Sequence, residues 1–255
     1  LYTINMSANT FTNAVGDEYM ILKRIMLAGI VLLSFMTGCM EEPRKITPED
    51  ICNIIWTPVN SQSAWRLPFC LRSNGGVLLA GLAENTIATW AIDGDGYGFT
   101  VYDVNGNGWH FNTEFMENGV LKVYFNGMAN DILTGKAVDP IKPGSRYVCY
   151  YIYDSGQLKL PEEEVYVFFD YDNRIRGFSG VNNFFGQYEL KTLYSIDIGP
   201  LATTRRGGAY LDYERYFLKM LGEEINTALK YNDELYLYND SNLRMVLELA
   251  NPDVD

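Results

Sequence analysis

The apolar residues of this chain come in short runs, and that pattern sets the fold more tightly than any other feature. Runs at 77–80, 86–92, 97–102, 109–115 and 120–125 are each set off from the next by Gly, Asn or Asp. Repeats about 8–12 residues apart with turn residues between them are the grammar of antiparallel strands, because a strand needs few residues to cross a core and a helix needs more. The same grammar returns at 146–153, 164–170, 174–178, 234–238 and 243–249. A helical stretch interrupts it at 210–222, where Leu211, Phe217, Met220 and Leu221 share a face and Asp212, Glu214, Arg215 and Lys219 are expected in solvent. Thr47-Pro48-Glu49-Asp50 has an N-cap residue, Pro at the first helical position and acids in the first turn, so a short helix through Ile54 or Ile55 is expected. All four tryptophans (Trp56, Trp65, Trp90 and Trp109) precede a Pro140 to Gly144 break. The expected class is mainly β with one main helix (α+β): two small β-rich domains, 47–143 and 144–255, built as antiparallel sheets or partly open barrels.

Charge and histidine content narrow the chemistry. The 255 residues carry 20 Lys+Arg against 32 Asp+Glu, a net charge of −12, which excludes phosphate-backbone recognition, and hence nucleic acid, as the main activity. One histidine, His110, removes every multi-His metal site and leaves a nucleophilic mechanism a single imidazole base.

The first forty residues read as an address. Met20-Ile21-Leu22-Lys23-Arg24, an apolar run at 25–36 and Thr37-Gly38-Cys39 give a basic region, a hydrophobic stretch too short to span a bilayer well, and a small-residue exit. Met36-Thr37-Gly38-Cys39 resembles the bacterial lipobox, which implies cleavage before Cys39 and a lipid on its thiol. Residues 1–19 are expected to be an over-extended upstream segment, 20–38 the signal peptide and 39–46 the tether. Removal of 1–38 takes two charges of each sign, so the mature chain stays at −12 and attachment falls to the lipid. Met40-Glu41-Glu42 resembles the acidic export tags of Bacteroidetes surface lipoproteins, with the periplasmic and the outer face both left open. Cys52, Cys70 and Cys149 remain, at spacings that fit no zinc or CxxC pattern, and are expected as one bridge plus a thiol or as buried free thiols.

The segment Gly177-Phe178-Ser179-Gly180-Val181-Asn182-Asn183-Phe184-Phe185-Gly186-Gln187-Tyr188 resembles the Gly-x-x-Gly-Cys-Asn-x-x-x-Gly-x-Tyr motif of the META/HslJ domain, and Thr204-Arg205 matches the start of that family's Thr-Arg-x-x-Cys element. An acid-containing helix follows in the family, here with Glu214, Phe217 and Leu221, so the likeness covers about 146–250. It implies a small β-rich domain of bacterial envelope proteins associated with heat shock or stress, with no established catalytic residues. Gly177, Gly180, Asn182, Gly186, Tyr188, Thr204 and Arg205 are expected to be architectural, with Asn182 bonding the local backbone. The family's two motif cysteines are Val181 and Gly208 here, and their joint absence implies that they are disulfide partners in relatives. The first domain is expected to be lipocalin-like or META-like.

Other motifs offer chemistry. Asp103, Asn105, Asn107 and Glu114 stand at positions 1, 3, 5 and 12 of a calcium loop with Gly108 at 6, yet the flanks read as strands and Asn-Gly twice in succession signals a hairpin. Asp93 and Asp95 offer paired carboxylates in an Asp-Gly repeat that also reads as a turn, Trp65, Trp90 and Trp109 either core packing or an aromatic platform, Arg205 and Arg206 either a solvated turn or an anion site, and Glu162 to Glu164 a hydrated loop. The resulting expectation is a non-enzymatic lipoprotein of the outer membrane, without cofactor unless calcium occupies the loop. It is held by its lipid and binds an envelope protein or glycan, or supports the envelope under stress. The alternatives are a surface glycan-binding or glycan-cleaving protein and a calcium-dependent adhesion module.

Overall fold

Two antiparallel sheets account for the body of the protein in a computed structural model, which describes residues 42–250 apart from 61–62, 64, 82–86, 129–130 and 155. Residues 44–255 group as one compact unit. The first sheet contains β1 (Ile54–Pro58), β2 (Phe69–Leu71), β3 (Val77–Leu79), β4 (Ile87–Ile92), β5 (Gly98–Asp103), β6 (Gly108–Phe115), β7 (Leu121–Phe125) and β8 (Ile132–Ala137), in the order β3-β2-β1-β8-β7-β6-β5-β4. Its two ends approach each other where the Trp90 amide donates to Gly75 O (3.1 Å) and the Trp90 indole to Arg72 O (2.9 Å). The sheet is thereby almost a closed barrel, which leaves few unpaired edge groups.

Aromatic side chains fill that barrel. Phe99 and Phe111 stack at 5.0 Å, and Trp65 meets Phe69, Trp109 and Phe111 edge-on. Phe99 and Val101 alternate with Thr100 and Tyr102 along β5, the period of two that separates an inner from an outer face.

The second sheet contains β9 (Ser145–Asp154), β10 (Gln157–Lys159), β11 (Tyr166–Phe169), β12 (Arg174–Phe178), β13 (Asn183–Leu190), β14 (Ile196–Ile198), β15 (Ala202–Thr203), β16 (Thr227–Tyr231), β17 (Glu234–Asn239) and β18 (Asn242–Leu249). Its path is β14-β13-β12-β11-β9-β18-β17-β16, and bonds from Ile196 N to Asn226 O (3.1 Å) and from Ala228 N to Tyr194 O (2.8 Å) nearly close it as well. Helix α2 (Leu211–Lys219) continues as a π turn (Met220–Glu224) and packs Phe217, Met220 and Leu221 into the barrel core.

A third cluster lies between the sheets. Ile55, Cys70 and Leu78 leave the outer face of β1, β2 and β3 and meet Leu229, Tyr236, Tyr238 and Val246 of β16, β17 and β18. The Tyr238 hydroxyl donates across this layer to Leu79 O at 2.8 Å. Among the described residues no helix is long and apolar enough to cross a membrane.

The fold is mainly β with one main helix, as expected, and three details differ. The first helix, α1 (Pro48–Ile51), is a single turn, and β1 begins at Ile54. Asp50 closes α1 by accepting from Thr47 N (2.8 Å), and Ile54 and Ile55 pair with β8 instead of extending the helix. Glu214, expected in solvent, is buried at 5% exposure, because positions 214, 217 and 221 lie on one helical face. The second half of the Gly-Asn motif, from Asn183 on, belongs to the eight-residue strand β13.

Candidate functional site

The Gly-Asn motif converges on one buried carboxylate. Glu214 accepts from Asn182 N (2.8 Å) and Asn182 Nδ2 (2.8 Å), and the Ser179 hydroxyl lies 2.6 Å from it. The other side of the Asn182 amide is also committed: Oδ1 accepts from Thr204 Oγ1 (2.8 Å) and Arg206 N (2.7 Å), and Nδ2 reaches Arg206 O (3.1 Å). One side chain thus ties the β12–β13 turn to the segment after β15 and to α2. Burial of a carboxylate is tolerated only with such donors around it. Asn182 therefore bonds backbone and side chains far along the chain, in place of the local backbone expected of it.

The glycines make room for this network. A Cβ at Gly177 would sit 2.0 Å from Tyr166 O, and Gly180 turns the chain at φ +99°, so neither position takes a side chain without strain. A Cβ at Gly186 would meet Leu201 at 2.8 Å. Tyr188 packs edge-on against Phe169 at 5.1 Å and donates to Asp170 O, while Arg205 is exposed at the surface. The sequence pointed to Gly, Asn, Thr and Glu here, but not to Ser179 or to the backbone of Arg206, which carry no type-specific signal. All the polar groups of the network face one another. Its chemistry is that of a lock.

The calcium-spaced residues form the β5–β6 hairpin. Asp103 accepts from Asn105 N (2.9 Å), Asn107 N (2.8 Å) and Asn107 Nδ2 (2.8 Å), and the Asn107 side chain with these amides holds its carboxyl below the usual aspartate range. Glu114 stands up β6, bonded to the Tyr124 hydroxyl at 2.5 Å. No cluster of three or more acidic, His or Cys side chains suited to a metal occurs among the described residues.

Asp95 closes the β4–β5 turn by accepting from Tyr97 N (2.9 Å), and Asp93 lies against His110 Nδ1 (3.0 Å) and accepts from Thr100 Oγ1 (2.8 Å). Each carboxylate thus has its own partners, Asp95 within the turn and Asp93 on β5 and β6. Of the two readings of the tryptophans, the core one holds: Trp65 and Trp90 are buried and Trp109 packs against the same core. Their size explains this, since each fills a barrel of small cross-section. Cys52, Cys70 and Cys149 are buried and free of disulfides, and burial pushes their thiols up to about 11, about 12 and about 12. Thiols so raised are poor nucleophiles. Cys39 lies outside the described residues.

A cleft of about 590 Å³ opens where the two sheets meet, between the β2–β3 turn and the segments around Tyr194 and Asn226. Arg72 lines it, held by Asn74 Oδ1 on Nε (3.1 Å) and by Thr227 Oγ1 and Asp240 O on Nη1 (3.3 Å each). Thr227, 4% exposed, stands at its base. No motif marks this cleft, because its residues come from five segments that only the packing of the two sheets brings together.

No curated protein matches the chain. A solved structure, titled as the NMR structure of a protein from Burkholderia xenovorans, is 17% identical with a TM-score of 0.34, over 46% of this chain and 93% of that one. The second sheet with its helix coincides with the segment that matches a family described as META domain, so a META domain is found at residues 142–251.

Proposed function

We propose that this protein is a non-enzymatic lipoprotein of the outer membrane, anchored through Cys39, that binds an envelope partner or ligand or supports the envelope under stress. The observation that carries the reading is the order of the chain: basic residues, an apolar run, Met36-Thr37-Gly38-Cys39, and a META domain beyond it. Among the described residues, Arg44 pairs with Asp50 (2.7 Å) and covers the Phe115 ring, and Ile46 N donates to Gly96 O (2.9 Å). Five residues of chain reach at most roughly 18 Å, so a lipid on Cys39 would hold the body close to a bilayer. In this reading the Gly-Asn-Glu network is architectural, since its polar groups are consumed internally.

Metabolic labelling with palmitate tests it. The wild-type chain should take up label and fractionate with the outer membrane, and Cys39→Ser should lose both. An unlabelled wild type recovered in the soluble fraction would overturn the reading. Protease treatment of intact and permeabilised cells then separates the outer face from the periplasmic one.

A further inference from the structure

The cleft between the sheets has a donor-rich lining with one cation and one carboxylate. Arg72 is fixed by three hydrogen bonds on Nε and Nη1, which leaves both hydrogens of Nη2 without a partner among the described residues. No carboxylate of the described residues pairs with it, in a protein whose net charge is −12. Asn53 Nδ2, Asn74 Nδ2 and the hydroxyls of Ser73 and Ser195 also line the cleft and carry no hydrogen bond within the described residues. Asp240, whose carbonyl holds Arg72, also lines the cleft, its Oδ1 accepting from Asn226 Nδ2 (3.0 Å) and its amide bonded to Asn226 Oδ1 (2.8 Å).

We propose that this cleft binds a carboxylated saccharide, with the ligand carboxylate on Arg72 Nη2 and ligand hydroxyls on Asp240 and the amide side chains. A guanidinium fixed in advance loses little freedom on binding, and the two hydrogens of Nη2 offer a carboxylate a charge-assisted contact. A bare anion would satisfy Arg72 and leave Asp240 Oδ2 without a donor, whereas a hydroxylated anion serves both. The volume lies in the range of small-molecule sites, and a lining in which all residues but Leu193 and Tyr194 are polar or charged suits a sugar better than a hydrophobic ligand. The inference rests on the ligand-binding part of the proposed function and not on the anchor, so a chain that fails to take up palmitate yet binds sugar would leave it standing.

The test is a calorimetric titration of the full-length protein in detergent with D-glucuronate, D-glucose and inorganic phosphate. Glucuronate should bind saturably, and glucose and phosphate each about tenfold or more weaker, as expected for losing a charge-assisted contact or the hydroxyl contacts. Arg72→Gln should bring glucuronate down to the level of glucose. Arg72 also bridges the two sheets, so the melting temperature of that variant is measured alongside. Asp240→Asn, nearly isosteric, should weaken both sugars and leave the preference for glucuronate in place. Equal binding of the methyl glucuronide would identify a chain end as the ligand, and its exclusion a free sugar acid; both support the site. No saturable binding of glucuronate to the folded wild type, equal affinity for glucose, or phosphate binding as tight as glucuronate would overturn the proposal.

Discussion

Glu214 shows how much one side chain decides in this protein. Its two oxygens face Asn182 N, Asn182 Nδ2 and the Ser179 hydroxyl, so Glu214→Gln replaces an acceptor by a donor inside a closed set. The expected loss is about 1–3 kcal/mol, read as a lower urea midpoint at unchanged slope. Val181 and Gly208 are the second residue-scale case. A Cβ built on Gly208 lies 3.7 Å from the Val181 Cβ, the separation at which two cysteines bridge, in agreement with the pairing implied for relatives. The double variant Val181→Cys with Gly208→Cys should form a disulfide and gain about 2–4 kcal/mol when oxidised, with no gain under reductant.

Asp103 supplies a pH dependence. Its folded carboxyl titrates lower than it would in the unfolded chain, held down first by the Asn107 side chain and then by the backbone amides of Asn107 and Asn105. The unfolded state therefore takes up the proton first. The hairpin contribution is present above the ordinary aspartate value and is lost as pH falls through the folded one. A carbon NMR titration should place the Asp103 midpoint below the aspartate norm and show the Asn105 and Asn107 amides losing protection together at the acid end.

At the scale of elements, legibility followed burial geometry. Strands with one wet face, such as β5 and β12, were visible in the alternation of the chain. β1 and β16 were not, since Ile55 and Trp56 bury opposite faces of β1, and Ala228 and Leu229 do the same on β16. A strand buried on both sides gives a short unbroken apolar run, which has no period; β1 passed for the end of a helix and β16 for no element at all. β13 was hidden differently, by glycine and asparagine that suggested a turn alone. Tyr238 ties two of these elements together, being fully buried with its hydroxyl on Leu79 O. Tyr238→Phe should cost about 1–3 kcal/mol by stranding that carbonyl, with a drop in melting temperature as the readout.

Across the whole molecule, the two barrels share a wall made of side chains from both. Cys70 and Tyr194 approach at 3.2 Å within it, Tyr194 donates to Asn53 Oδ1 (2.9 Å), and Arg72 reaches Thr227 and the Asp240 carbonyl. A wall of that kind couples the stabilities of its two halves. Calorimetry should show one unfolding transition for the wild type.

By itself the sequence determined the strand-rich class, the helix face with Phe217 and Leu221, and the META motif, because spacing and glycine placement are local properties that any copy of the chain carries. The burial of Glu214, the pairing of β1 with β8 and the cleft around Arg72 were decided by tertiary structure alone. Each depends on groups far apart along the chain that meet only after the sheets have closed and packed, and no window of residues carries the energy of such a meeting.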